Sequence, residues 1–464
     1  MLQRRFLVPV SLLLFLGLVF LRDLLGADGP ARDLLPGGNP GAGKLPDAPP
    51  LEVTEVLLVK LPPEFKLGQG VISVSPDEKR YAYVVQRGEK QAVVIDGVAG
   101  VQYRHVGTIQ FSPDSKYTVY LATHGGNGFA VIDGVEGPQY DDVGNIEISA
   151  NSRRTGYSAR RGNKHFAVID GIEGPPYEDV ERIVFSPDSK HVACGVRLSK
   201  DVLVLEGPGV ASVRSGKMSF VIDGVELPPY DRVGYPNFSP DSKRLAYAAS
   251  RTDKWFAVID GVEGPPYDEV GPPAFSPDSK RMAYTAKRGD REFVEFVVTD
   301  GVEGKPYDEV GQASFSPDSK RTGYRAKRDN REFAVIDGIE GPPYDEVGYP
   351  AFSPDSKRLA YAARRADKWF VVIDSVEGPT YDRVFNYPWG TMPCFSPDSK
   401  HVVYRGLTGK ESFLIVDGRQ SPSYDGAPFG NSLKFDDKGL LRIALVRGSK
   451  LLRVEVDLTK LRRN

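Results

Sequence analysis

Cysteine and histidine are scarce. Two Cys and five His in 464 residues exclude a disulfide framework and a Cys/His zinc cluster. An excess of one charge is missing too: 60 Lys+Arg against 62 Asp+Glu leave a formal charge of −2. That balance argues against a histone-like or acidic-tail protein, and no nucleic-acid ligand is expected. Catalytic signatures are lacking, with no G-x-S-x-G elbow, H-E-x-x-H, P-loop or dinucleotide fingerprint. His105, His124, His165, His191 and His401 are scattered without metal spacing. No metal and no cofactor are therefore expected. Long helices are not expected either, since 49 Gly and 37 Pro exceed what a helical protein carries.

What is present begins with a targeting segment. Arg4 and Arg5 precede an apolar run over residues 6–21, interrupted only by Pro9, Ser11 and Gly17. Its length falls between a signal h-region and a membrane span of about 20 residues. Gly26-Ala27 offers a cleavage point, although Leu25 is poor at the −3 position. Residues 1–27 thus read as a signal peptide or a signal-anchor. Positive residues stay inside, so the remainder is expected to be exported, periplasmic or extracellular, and membrane-tethered if the run is retained. Residues 28–50 hold five Gly and six Pro with almost no large apolar side chains. Such a stretch cannot bury enough surface to offset its ordering entropy, so it is a tether. The folded part, residues 51–464, begins near Leu51.

Self-comparison organises the rest. Phe-Ser-Pro-Asp-Ser-Lys recurs from Phe111, Phe185, Phe238, Phe275, Phe315, Phe352 and Phe395. Degenerate copies at Val74, Ile148 and Phe435 bring the count to ten units. The Asp (Asn in one unit) of successive motifs stands at 77, 114, 151, 188, 241, 278, 318, 355 and 398, giving a base repeat of 37 with three longer intervals. Within the unit starting at Pro236, a short first segment meets the Pro-Asp-Ser turn. Arg244 to Ala249, Trp255 to Ile259, and Tyr267 to Val270 then read as the second, third and fourth strands. The second and third are apolar at nearly every position, as strands covered on both faces must be. Residues 260–265 read as a break. Four short strands repeated at this interval, each unit too small to bury its own faces, predict an all-β fold, a β-propeller of about ten short blades.

The Ser-Pro-Asp-Ser-Lys string and the apolar strand after it resemble the WD40-like PD40 repeats of TolB-type propellers, over essentially all of residues 51–464. The resemblance implies a propeller and an envelope or secreted binding scaffold, with no particular activity. The chain ends after a third strand, 451–456, while residues 57–65 look like the late part of a unit without its beginning. The N-terminal strand is therefore expected to complete the last blade and close the ring. Two smaller fused rings are the alternative.

The repeated aspartates read as turn residues rather than catalytic ones: Asp in Ser-Pro-Asp-Ser accepts hydrogen bonds from its own turn, and Asp-Gly supplies the positive φ of a hairpin. The insertions are more informative. Those within 197–217 and near 289–292 read as second-to-third-strand loops, and the one within 385–393 as a blade-to-blade join, which would place all three on one face. The same loops carry Arg160, Arg161, Lys164, Arg251, Lys254, Lys287, Arg288, Arg291, Lys327, Arg328, Arg331, Arg364, Arg365 and Lys368. A basic rim built on Arg251, Lys254, Arg288, Arg291, Arg328, Arg331, Arg365 and Lys368 would suit an anionic partner: a protein, a glycan or another envelope component. The competing reading is solvated hairpin tips, interspersed with Asp253, Asp290, Asp329 and Asp367. Tyr387 and Trp389 in the longest join are candidate apolar contacts. The expected function is a non-enzymatic, monomeric interaction scaffold. A propeller lyase or glycosidase with carboxylates at the ring centre, and a purely structural surface protein, are the alternatives.

Overall fold

A computed structural model describes residues 49–61, 72–199, 202–207, 210–214, 216–289, 294–385, 393–427, 433–436 and 438–461. The expected leader and nearly all of the tether lie outside these residues. Ten small antiparallel sheets form one ten-bladed β-propeller. Blade 5 shows the plan. Its inner strand has two pieces, Arg232–Val233 and Asn237–Phe238, both paired with the second strand, Leu245–Arg251. The third strand, Lys254–Ile259, follows through a two-residue hairpin, and Val262–Glu263 is the outer strand.

This corrects the expected fourth strand. Residues 260–265 are not a break, because Val262–Glu263 pairs with Val258 and Ile259. Tyr267 makes a single further bridge to Trp255 at the same outer edge. Glu269–Val270 then belongs to blade 6, where it pairs with Lys287 and Ala286. The strand pattern misled because one short run, Tyr-Asp-Glu-Val, closes one blade and opens the next.

Inner strands of neighbouring blades touch around the axis: Ser73 Oγ donates to the Ile109 carbonyl at 2.5 Å and Asn237 Nδ2 to that of Pro273 at 3.0 Å. The outer strands face solvent, with Val262 71% exposed. Between blades the packing is small against large. Ala248 and Ala257 of blade 5 meet Tyr267, Val270, Tyr284 and Phe296 on the blade 6 side. Trp255 joins that cluster, and Trp369 joins the equivalent one between blades 8 and 9. Cys194 lies in the core, where burial pushes its thiol up to about 12.

The ring closes as expected. Thr54–Lys60 is the outer strand of blade 10 and pairs with Lys450–Asp457, the last strand of the chain.

On one face the Ser-Pro-Asp-Ser turns form a lattice. In blade 5, Ser239 Oγ donates to Asp241 Oδ1 at 2.6 Å, and Asp241 Oδ1 accepts from the Lys243 N–H. Ser242 holds the left-handed position, φ 62°. The backbone N–H of Asp241 donates to Ser279 Oγ in the next blade at 3.0 Å. Eight such links run from blade 1 to blade 9. Arg244 adds a second strap: it pairs with Asp260 at 2.8 Å, lies over Phe275 of the next blade and donates to the Ser279 carbonyl. Asp260 and Gly261, φ 52° and 81°, make the third-to-fourth-strand turn, as the Asp-Gly pair predicts.

The lattice lapses at blade 10. Gly439 takes the serine position there, so it has no Oγ to receive the Asp398 N–H. In blade 1 the position is Glu78, φ 57° and 2% exposed. Neither of its carboxylate oxygens has a hydrogen-bond partner. Facing it across the closing seam are Lys434, Arg442, Arg453 and Glu455. Arg442 and Glu455 form a cross-strand pair where blade 9 has Val403 and Val416.

Two predictions follow from the lattice. Ser279→Ala, which removes the acceptor while keeping a Cβ at positive φ, is expected to lower stability by about 1–2 kcal/mol. Ser279→Gly should cost less, because glycine relaxes the backbone; urea unfolding of the two variants measures the difference. At the seam, burial pushes the Glu78 carboxyl up to about 7 against the pull of Arg453, Arg442 and Lys434. Its folded value lies above the ordinary 4.5, so ionisation opposes folding. Its neutral form is compatible with the fold below about pH 4.5, and stability falls as pH rises from there through 7, by up to about 3 kcal/mol. Glu78→Ser, the residue of the sister turns, is expected to flatten that slope in thermal unfolding at pH 5.5 and pH 8.

Candidate binding face

The opposite face carries the second-to-third-strand hairpin tips. At blade 4 the tip is extended by a hairpin of its own, Val202–Gly207 paired with Val210–Arg214, inserted between the second and third strands. The shorter insertion also leaves from a tip, although residues 290–293, including Arg291, lie outside the described residues. The third insertion is placed differently from expectation. Its ends, Arg383–Phe385 and Cys394–Phe395, are two halves of the inner strand of blade 9, both paired with Val402–Thr408. It therefore opens midway along the inner wall rather than joining two blades. The physical reason is that Tyr-Asp-Arg-Val is shared: Tyr381 bridges Trp369 of blade 8, while Arg383 and Val384 begin blade 9. Tyr387 and Trp389 lie outside the described residues.

The described rim cations are brought to this face and are paired there. In blades 5–8 the Arg ending the second strand meets the Glu of its own outer strand: Arg251–Glu263 at 2.9 Å, Arg288–Glu303 at 2.6 Å, Arg328–Glu340 at 2.7 Å and Arg365–Glu377 at 2.7 Å. These guanidinium groups also lie over the tyrosine that closes the preceding blade, as Arg288 does over Tyr267 at 5.1 Å. In blades 5, 7 and 8 the cation opening the third strand meets the acid that follows the blade's own closing tyrosine: Lys254–Asp268 and Lys368–Asp382, both at 2.5 Å, and Arg331–Asp345. The acid's second oxygen accepts a tip N–H from the next blade, as Asp268 Oδ2 does from Gly289 at 3.0 Å. The Arg288 contact holds Glu303 below the usual carboxylate range, and the Tyr267 hydroxyl donates to the same group at 2.9 Å.

Arg160, Arg161, Lys164 and Arg364 are paired likewise, with Asp141, Glu173, Glu178 and Glu346. The rim of blades 3 and 5–8 is thus a girdle of alternating charges, whose field falls off faster than that of a basic patch. The inner strands also carry carboxylates, and some are clasped by arginine, as Glu181 is by Arg197 at 3.1 Å and Glu309 by Arg325 at 3.2 Å, whereas burial pushes the Glu147 carboxyl up. Gly311 permits the second contact, because a Cβ there would stand 2.6 Å from Arg325 Cγ.

Blade 1 departs from the scheme. Its tip has Arg87 and Lys90, but Ala99 stands where the outer-strand Glu belongs and Arg104 where the Asp belongs. These residues are missing from the rim expected from sequence; the signal was present as two acid-to-nonacid changes in an otherwise regular repeat.

No protein family and no curated protein sequence matches the chain. Among solved structures it is similar to one of the eukaryotic initiation factor, at 12% identity and TM-score 0.42, over 73% of this chain and 93% of that one. It is also similar to TolB from Acinetobacter baumannii, at 14% identity and TM-score 0.27, over 68% and 79%. The β-propeller domain of the Trilobed protease from Pyrococcus furiosus gives 12% and 0.31, over 74% and 90%.

Glu303→Ala is expected to destabilise the protein by about 1–2 kcal/mol, because it strips the buried Tyr267 hydroxyl of its acceptor as well as freeing Arg288. Asp253→Asn in the exposed tip of blade 5 should stay within about 0.5 kcal/mol of wild type. Chemical denaturation of the two variants checks the contrast.

Proposed function

We propose that this protein is a non-enzymatic interaction scaffold of the TolB-like, PD40-type class, exported and held by its N-terminal segment, which binds a protein or an anionic envelope component through the hairpin-tip face. The observation that carries the reading is the contrast between the two faces. One is a repeated lattice of serine turns whose aspartates and arginines are engaged in holding blades together. The other bears the inserted hairpin at Val202–Gly207 and Val210–Arg214, a projection that the repeat does not need. Loops that vary on a rigid frame are where recognition resides. The non-enzymatic part rests on the same accounting, since the repeated carboxylates serve as turn acceptors and rim partners.

The test is a capture experiment from an envelope extract with the full chain and with a variant whose residues 199–216 are trimmed to the tip length of blade 5. Loss of a saturable partner on trimming supports the reading; equal capture by both proteins removes this face from recognition. Repeating the capture from about 50 to 500 mM salt tests the anionic component, which requires weakening over that range.

A further inference from the structure

We propose that the outer edge of blade 1 docks an extended acidic segment of a partner protein, which adds to Val98–Tyr103 as a further strand and sets its carboxylates against Arg87, Lys90 and Arg104. The proposal rests on the scaffold reading above and gives it a second place and a partner chemistry.

The outer strands of blades 2–9 are two residues long and are followed by a glycine, leucine or serine and then, within two positions, a proline, as at Pro138, Pro265 and Pro342. A strand that short, stopped by a residue without an N–H, offers no template for pairing. Blade 1 reads Val-Ala-Gly-Val-Gln-Tyr instead, and its outer strand runs for six residues. Residues 98–102 are all exposed, Val98 at 73% and Val101 at 59%. One edge of this strand pairs with Lys90–Ile95, and the other faces outward from the sheet. A proline-free exposed edge is what strand addition requires, with backbone groups giving affinity and alternate side chains giving selectivity.

The charges beside this edge follow the same departure. In blades 5, 7 and 8 the cations equivalent to Arg87 and Lys90 are neutralised by a Glu and an Asp, as Arg251 and Lys254 are by Glu263 and Asp268. Blade 1 keeps the cations, lacks both acids and adds Arg104. Arg87 pairs in register with Lys90 at the tip, and Tyr103, the residue before Arg104, pairs with Gln91, so the three lie together at the tip end of the edge. Glu89 within the tip is the acidic residue among them and leaves the group positive. Outward charges of one sign next to an open strand select a strand of the other sign.

The probe is a labelled, end-blocked peptide of alternating threonine and glutamate, about eight residues long to match a strand, titrated into the full-length protein by fluorescence anisotropy. Saturable binding that weakens with salt is expected. Val101→Pro, which installs the residue of the sister blades, should weaken it about tenfold or more, and so should the double change Ala99→Glu with Arg104→Asp, which restores the sister ion pairs. Both variants copy sequences that fold elsewhere in the same ring. A peptide with lysine in place of glutamate should not bind. Trimming the 202–214 hairpin should leave the affinity unchanged, so failure here is read separately from failure of the hairpin face. No binding by the wild type, equal binding by Val101→Pro, or loss of binding on trimming the hairpin would overturn the proposal.

Discussion

No blade of this protein can bury both of its own faces, so the ring stands on contacts between neighbours. The contact repeated most faithfully is the backbone N–H at the third position of one turn donating to the serine Oγ of the next. It constrains the sequence at several points at once. A residue must tolerate positive φ and carry a short acceptor, and serine meets both demands. The first serine and the aspartate must tie the turn so that the N–H points outward, and proline between them presets the bend. The arginine that follows then reaches across to the next blade. The motif is therefore a joint between blades written as a turn.

This explains why the architecture was legible in the sequence. Each joint reuses the same short motif, exact or degenerate, so counting the motif counts the blades, and ring closure could be read from a last unit lacking its outer strand. The errors fall where one segment serves two blades. Tyr267 bridges Trp255 while Glu269 and Val270 pair in the next sheet, and periodicity cannot tell which partner such a run prefers. The insertion at 385–393 was misplaced for the same reason. The rim is a further case: Arg251 or Lys368 read alone is a cation, and only the fold brings Glu263 or Asp382 against it.

Near-identical units also make departures meaningful. A residue repeated in nine blades reports on the frame, and one that breaks the repeat is either a repair at the closing seam or a feature belonging to one blade. Glu78, Arg442 and Glu455 gather at the seam where first and last blades meet. Ala99 and Arg104 stand elsewhere in blade 1, in and just after its outer strand, at an edge that closure does not require.

The closing strand also gives the ring a direction. Lys60 pairs with Lys450 at the hairpin-tip end of blade 10, and Thr54 with Glu455 toward the other end. Leu51 is tied by its N–H to the Gln420 carbonyl, beside the outer turn of blade 9. The chain thus enters the disc from the side of the serine turns. The hairpin tips look the opposite way, so the face with the inserted hairpin is the one turned from the point where the described chain enters.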